Sequence, residues 1–202
     1  FMDFRKMDVG GAPCMVNRVS YTGDLGYEIY CDAMSQRSLW HSLWQTGQPH
    51  GMKPFGMRAM MSLRLDRLFG SWHREYSPDY TPAETGLDRF IHWQKPVPFI
   101  GRAASEAERD QGPARRLAAF EVEATDTDVH GYEPIWLDGE VVGFCTSGGY
   151  SHHLDRSIAF GFVPKDADTP GLAVEIEILG DRRPARRIDT PPWDPDGLRL
   201  RG

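Results

Sequence analysis

The second half of the sequence contains a series of short apolar segments separated by turn-forming residues, and this series restricts the fold more than any other feature. Asp138 and Gly139 lie between two of the segments. An Asp-Gly pair favours a type I′ turn, in which both central residues need a positive φ, and it therefore predicts a β-hairpin. Short strands at close, fairly regular spacing are typical of a small barrel or sandwich. We predict strands at 117–123, 134–137, 140–146, 157–163, 172–179 and 185–189.

The first half has a different pattern, in which strands and helices are mixed. Extended segments are predicted at 15–21 and 27–31, and the glycines between them indicate a tight connection, so the two segments should form a hairpin-like pair. Ser35 is a typical N-cap, and apolar residues follow it at helical spacing, including two tryptophans that we place in the core. Helices are predicted at 35–47, 56–68 and 101–111.

These patterns predict the fold class α+β, with an α+β subdomain followed by a small antiparallel β-barrel-like domain. The composition changes near the last predicted helix, which is followed by Gly112 and Pro113. We therefore predict two domains, at 1–112 and 113–202.

Composition and charge exclude several functional classes. The chain is 40% hydrophobic and 26% charged, as globular proteins are, and no apolar run approaches the roughly 18 residues of a membrane-spanning helix. The net charge of −6 disfavours a nucleic-acid partner. The chain begins with Phe rather than Met, which we interpret as a start within a longer product.

The cysteines and histidines predict no metal site. Cys14, Cys31 and Cys145 are widely spaced and odd in number, which fits neither a disulfide framework nor a zinc set and favours a reducing compartment. The histidines lack the spacing of metal ligands. The chain has no Gly-x-Gly-x-x-Gly segment, so the sequence predicts no flavin site. The residues alone therefore predict no cofactor.

A longer motif gives the first indication of function. Residues 21–28 read Tyr-Thr-Gly-Asp-Leu-Gly-Tyr-Glu, which closely resembles the Tyr-Thr-Gly-Glu-x-Gly-x-Glu signature of the glycine-cleavage T-protein family. Further matching segments follow in the family's order at 62–66, 81–87, 99–102, 143–150 and 191–195. Segments 56–65, 70–72 and 78–81 are more similar to the folate domains of dimethylglycine and sarcosine dehydrogenases.

The resemblance implies tetrahydrofolate as the cofactor and a methylated amine or aminomethyl donor as the substrate, with the one-carbon unit captured as 5,10-methylenetetrahydrofolate. Glu28 matches the family carboxylate that holds the pterin, and Tyr21 matches a residue of the same pocket. A carboxylate suits a pterin because the amino group and a ring N–H lie side by side and donate to both oxygens. An aromatic ring with a hydroxyl suits a flat polar ring.

The resemblance also implies that much of the active site lies outside this chain. The family's key aspartate belongs to a segment about a hundred residues before the one that contains Tyr21, and only twenty residues precede Tyr21 here, so we assign no catalytic residue and expect the chain alone to be inactive. FAD is expected only in an upstream domain of the same polypeptide. The expected location is the cytoplasm, or the mitochondrial matrix in a eukaryote, without a membrane partner.

Two departures restrict what can be transferred from the family. Met60 stands where free T-proteins have an arginine, and Arg89 stands where they have a tryptophan, so the glutamate-tail side of the pocket is not assigned. Two alternatives to the dehydrogenase reading stay open. One is a glycine-cleavage aminomethyltransferase that works with a lipoyl carrier protein, and the other is a regulatory homologue without turnover.

Overall fold

The computed structural model describes residues 1–202. Its strands are β1 (Phe4–Val9), β2 (Ala12–Asn17), β3 (Glu28–Cys31), β4 (Arg115–Val122), β5 (Pro134–Leu137), β6 (Glu140–Ser151), β7 (Arg156–Pro164), β8 (Ala173–Ile178) and β9 (Asp181–Ile188). Its helices are α1 (Gln36–Gly47), α2 (Met57–Leu63), α3 (Pro82–Thr85), α4 (Arg102–Gln111) and α5 (Leu198–Arg201). Single 3₁₀ turns lie at Gln48–His50, Arg64–Arg67, Leu87–Phe90 and Lys165–Ala167.

The chain divides into two compact units. The first unit contains 1–67 and 192–202, and the second unit contains 68–191. The predicted domains, 1–112 and 113–202, stay a prediction.

The second unit contains a closed antiparallel barrel with the strand order β4-β7-β6-β5-β8-β9, which confirms the predicted α+β class with a β-barrel. Pairing of β9 with β4 closes the barrel. Its centre is filled by side chains without solvent exposure, among them Phe120, Ile135 and Ile176. Asp138 and Gly139 both have positive φ, at 52° and 86°, which confirms the predicted hairpin turn between β5 and β6.

The first unit contains a three-stranded antiparallel sheet in the order β1-β2-β3. The predicted neighbours 15–21 and 27–31 are indeed paired as β2 and β3. The strand prediction was wrong at one end, because β2 ends at Asn17 and 18–27 forms a loop. Strand β1 was not predicted, since five of its six residues are exposed and the strand shows little apolar alternation.

Helix α1 covers one face of this sheet, as its predicted apolar spacing requires. Leu39 and Leu43 pack against Ala12 and Cys14 of β2 and against Ile29 of β3. This cluster forms the core on that side of the sheet.

The tryptophan assignment was wrong for Trp40. Its side chain is 50% exposed, although its ring stacks on that of Trp44 at 6.0 Å between centroids. The pair lies one position away from Leu39 and Leu43 on the helix surface, so Trp40 turns away from the sheet. The helical spacing therefore predicted the helix correctly, but Trp40, which shares this spacing, lies outside the buried face of the helix.

Candidate functional site

Strand β3 presents Glu28 and Tyr30 on the face of the sheet opposite α1. Side chains alternate along a strand, so Ile29 points toward α1 while Glu28 and Tyr30 point away from it. Both of the latter are exposed, and the Tyr30 hydroxyl donates to Glu28 Oε2 at 2.6 Å. A carboxylate and a phenol are therefore joined on the open face of the sheet.

The Glu28 contact controls the protonation of Tyr30. The hydrogen bond to the carboxylate, and then its negative charge, raise the pKa of Tyr30 above its ordinary value. A tyrosine is protonated at neutral pH even at its ordinary pKa, and the raised pKa keeps the Tyr30 hydroxyl a donor to higher pH. Tyr30 can therefore donate to Glu28 throughout the physiological range.

A groove of about 500 Å³ continues along the same face. Its lining includes Lys6, Asp8, Pro13, Met15 and Tyr30. The strand register places Lys6 opposite Met15 and Met15 opposite Tyr30, and facing residues of antiparallel strands point to the same side. The volume is within the range of small-molecule sites.

The loop 18–27 contains Tyr21, which is partly buried, and leads directly into Glu28. Gly23 is buried in this loop with φ at +93°. A Cβ added there would lie 2.6 Å from Cγ of Arg67, so the loop approaches the Arg67 side chain as only glycine permits. Glycine is therefore required at position 23 both for the left-handed backbone of the turn and for the close packing against Arg67.

Arg18 closes the loop at its base. Its Nη1 atom donates to the carbonyl oxygens of Gly26 at 3.2 Å and Leu200 at 3.3 Å, and its Nη2 atom donates to that of Arg201 at 3.0 Å. One guanidinium therefore joins both ends of the loop to helix α5.

The C-terminal segment holds the loop at two further places. Asp24 forms an ion pair with Arg199 at 2.7 Å. Arg67, which lies against Gly23, donates through Nη1 to the carbonyl oxygens of Trp193, at 2.9 Å, and Asp194. The motif segment 191–195 therefore positions the motif segment 21–28, although the two are far apart in the sequence.

Asp194 in turn fixes the start of α5. Its carboxylate accepts hydrogen bonds from the backbone N–H groups of Leu198 at 2.8 Å and Arg199 at 3.0 Å. These groups have no partner within the helix, so the carboxylate supplies one. The helix that contacts the loop is thereby anchored by the same motif.

The glycine packing leads to a stability prediction. We expect Gly23→Ala to lower the free energy of unfolding of the chain by about 2–4 kcal/mol, because it adds a left-handed alanine and displaces a well-packed arginine. Gly11→Ala is the matched control, since Gly11 has φ at +80° and nothing within 4 Å of an added Cβ. Urea unfolding of both variants measures the difference. Equal losses would show that the Arg67 contact contributes nothing.

The sequence predicted Tyr21 and Glu28 as folate contacts, and several residues that hold the loop and Glu28 in place were not predicted. The missed residues are Arg18, Asp24, Tyr30, Arg67 and Arg199. Two of them had a signal in the sequence, since strand alternation places Tyr30 on the same face as Glu28 and Asp24 belongs to the 21–28 motif. The arginines act on the loop through contacts that are distant in sequence.

No group of three or more His, Cys, Asp or Glu side chains is arranged to hold a metal ion. None of the helices has the length and apolar character needed to cross a bilayer.

Two family models match the chain in succession. The model described as the GCVT N-terminal domain matches residues 1–95, and the model described as the glycine cleavage T-protein C-terminal barrel domain matches residues 115–194. The chain belongs to the glycine-cleavage T-protein family. The second match coincides with the barrel strands, and the first includes the 21–28 motif.

Similar proteins from two branches of this family match nearly the whole chain. Mitochondrial dimethylglycine dehydrogenase from Homo sapiens is 38% identical over 191 residues, which are 95% of this chain and 22% of that protein. An aminomethyltransferase from Symbiobacterium thermophilum is 36% identical over 188 residues, which are 93% of this chain and 50% of that protein. The chain spans half or less of the length of these relatives.

A solved structure has the same fold. The aminomethyltransferase T of the glycine cleavage system from Bartonella henselae superposes with a TM-score of 0.86 at 24% identity, over 96% of this chain and 53% of that one.

Proposed function

We propose that this chain is the tetrahydrofolate-binding portion of a dimethylglycine or sarcosine dehydrogenase-type enzyme, which transfers a one-carbon unit to form 5,10-methylenetetrahydrofolate. The observation that carries the proposal is the placement of Glu28 directly after the motif loop 18–27, on an open sheet face beside a groove of about 500 Å³. The similarity to mitochondrial dimethylglycine dehydrogenase over 191 residues supports the dehydrogenase branch.

The residues present suit a pterin. In this proposal the Glu28 carboxylate accepts the pterin amino group and the adjacent ring N–H, each oxygen taking one hydrogen bond. Tyr30 already donates to Oε2, and a carboxylate oxygen has capacity for a second donor, so Tyr30 stays in place and orients the carboxylate. Tyr21 contributes an aromatic surface to the same pocket.

Tetrahydrofolate supplies the nitrogens that accept the one-carbon unit when it is bound. The residues of this chain bind and orient the cofactor, and the group that acts on the reacting nitrogens is supplied by another part of the longer protein. The positioning function explains why the loop 18–27 is fixed by Arg18, Arg67 and Arg199. A pterin site with a mobile carboxylate would lose affinity, because ordering the carboxylate on binding costs free energy.

The proposal is tested with the longer polypeptide that includes this chain. With its flavin as the two-electron oxidant and an added electron acceptor, we expect it to form 5,10-methylenetetrahydrofolate from tetrahydrofolate and dimethylglycine or sarcosine, as measured by chromatography with mass detection. The 202-residue chain alone is the control and should form none. Two results would contradict the proposal. One is that the same amount of product forms when the tetrahydrofolate site of the longer polypeptide is missing. The other is that no methylated amine gives any product.

A second candidate is a glycine-cleavage aminomethyltransferase, which is favoured by the match to the Symbiobacterium thermophilum aminomethyltransferase over 93% of this chain. The same assay separates the two functions. An aminomethyltransferase would form the product from an aminomethylated lipoyl carrier and would release ammonia, without reduction of a flavin. Dimethylglycine with bound flavin would then give no product.

A further inference from the structure

Two of the three free cysteines face each other across neighbouring strands. Cys14 of β2 is the register partner of Cys31 of β3. Facing residues of an antiparallel pair project from the same side of the sheet, so both thiols point toward α1. The thiols point away from Glu28, although both cysteines also contribute to the lining of the 500 Å³ groove beside it.

The spacing of the two residues suits a disulfide. Directly paired residues in antiparallel strands have Cα atoms about 4.5 to 5.5 Å apart. Disulfides usually join Cα atoms about 4.4 to 6.8 Å apart. The register pairing of Cys14 with Cys31 therefore places their Cα atoms in the separation range of disulfides.

The two thiols differ in their access to solvent. Cys14 is 6% exposed and its Sγ donates to the carbonyl oxygen of Ala12. Cys31 is partly exposed and contributes to a groove of about 730 Å³ that also includes Leu39 and Trp40 of α1. A small molecule therefore has more access to Cys31 than to Cys14.

We propose that Cys14 and Cys31 form a dithiol site that reacts with small-molecule disulfides and closes into a cross-strand disulfide. Neither the folate-site proposal nor the family membership assigns this chemistry to the pair. Oxidised glutathione serves as the representative oxidant.

The reaction balances as two thiol–disulfide exchanges. The Cys31 thiolate attacks one sulfur of the oxidised glutathione, the glutathione S–S bond breaks, and a mixed disulfide on Cys31 forms as one glutathione leaves. Cys14 then loses its proton and attacks the Cys31 sulfur, which releases the second glutathione. Two protein thiols are oxidised, one glutathione disulfide is reduced, and the two thiol protons end on the two glutathione molecules.

The difference in burial between the two thiols determines which of them reacts first. Burial, and then the neighbouring Cys31 sulfur, raise the pKa of the Cys14 thiol, so Cys14 is protonated at neutral pH and a poor first nucleophile. It becomes effective in the second step, because the mixed disulfide on Cys31 is held beside it and the exchange is intramolecular. Cys31 is therefore the attacking thiol and Cys14 the resolving thiol.

The disulfide would close the chain segment from Cys14 to Cys31. This segment contains Tyr21, Glu28 and the whole loop 18–27. Strand β3 is a sheet edge that pairs only with β2, so the bond would fix the edge strand that carries Glu28.

The test uses the native chain in buffers with increasing ratios of oxidised to reduced glutathione, followed by alkylation with N-ethylmaleimide under denaturing conditions and mass analysis. We expect the number of alkylated thiols to fall from three to one, with one peptide pair linking Cys14 to Cys31. Dithiothreitol should restore all three. Cys145 is the internal control, since it is fully buried and its pKa is raised by burial, so it should stay reduced.

Single variants test the order of the steps. Cys14→Ala should accumulate a stable glutathione adduct on Cys31, whereas Cys31→Ala should accumulate little adduct on Cys14. Three alkylated thiols at every ratio, a stable Cys31 adduct in the wild type, or a bond that includes Cys145 would each overturn the proposal. If a variant does not fold, the disulfide mapping of the wild-type chain is sufficient to support or overturn the proposal.

Discussion

Replacement of Glu75 by alanine is expected to lower the free energy of unfolding of the chain by about 3–5 kcal/mol, the range found when one partner of a buried charged network is removed. Glu75 has no solvent exposure. Its carboxylate accepts hydrogen bonds from Thr146 Oγ1 at 2.6 Å, Ser147 Oγ at 2.5 Å and the backbone N–H of Ser71 at 2.6 Å. The side chain thus joins the segment before α3 to the barrel strand β6.

The size of the effect follows from the groups that alanine leaves behind. Thr146 and Ser147 are themselves buried, so their hydroxyls lose a charged acceptor without gaining water in its place. An unsatisfied buried polar group costs about 1–3 kcal/mol, and the void left by the side chain adds to this. Denaturant unfolding followed by circular dichroism measures the change. Glu140→Ala, on the exposed start of β6, is the control and should change stability by less than about 0.5 kcal/mol.

An equal effect of the two substitutions would contradict the role assigned to Glu75. Glu75→Gln gives an intermediate test, since an amide keeps the volume of the side chain but offers one acceptor oxygen. We expect its loss of stability to be smaller than that of Glu75→Ala, because the void is absent.

The second large effect concerns ligand affinity. Glu28→Gln in the longer polypeptide is expected to weaken tetrahydrofolate binding by about tenfold to several hundredfold. The amide offers one acceptor and presents a donor where the pterin needs a second acceptor. Loss of a charge-assisted hydrogen bond costs about 1.5–3 kcal/mol, and the unsatisfied pterin donor adds to that. Isothermal titration calorimetry measures the dissociation constants.

The fold should survive this substitution. Glu28 is exposed, and glutamine is nearly the same size, so the thermal unfolding temperature should remain that of the wild type. Tyr30→Phe is the companion variant, which removes the hydroxyl that donates to Glu28 Oε2 and should weaken binding less than Glu28→Gln. Unchanged affinity in Glu28→Gln would show that this carboxylate does not hold the pterin.

The sequence predicted the barrel well because its strands follow local rules. The Asp138-Gly139 pair specified a turn by backbone conformation alone, and the structure has both positive φ angles. Strand β9 was predicted to start after Pro184, but it begins at Asp181. Residues 181–184 have register partners in β8 and none in β4. The Pro184 carbonyl oxygen points to the β4 side, where it accepts from Glu123 just past the end of that strand, so the missing N–H falls where the ladder with β4 has ended.

The candidate site was only partly predictable, since its positioning depends on residues that are distant in the chain. The 21–28 motif predicted Glu28 and Tyr21 as folate contacts, which stays a prediction, and nothing local indicated that Arg18 binds Leu200 or that Arg199 pairs with Asp24. Strand β1 was missed for a related reason. Its side chains are mostly exposed, so the strand is defined by pairing with β2 and not by an apolar pattern of its own.

Hydrogen–deuterium exchange of the longer polypeptide with and without saturating tetrahydrofolate, followed by peptide mapping, locates the bound cofactor. We expect the cofactor to slow exchange in the peptides that contain the loop 18–27 and strand β3, and Glu28→Gln to remove this protection at the same cofactor concentration. Saturable binding of tetrahydrofolate that leaves exchange unchanged in these peptides would contradict a pterin site at Glu28, because the pterin would then be held elsewhere.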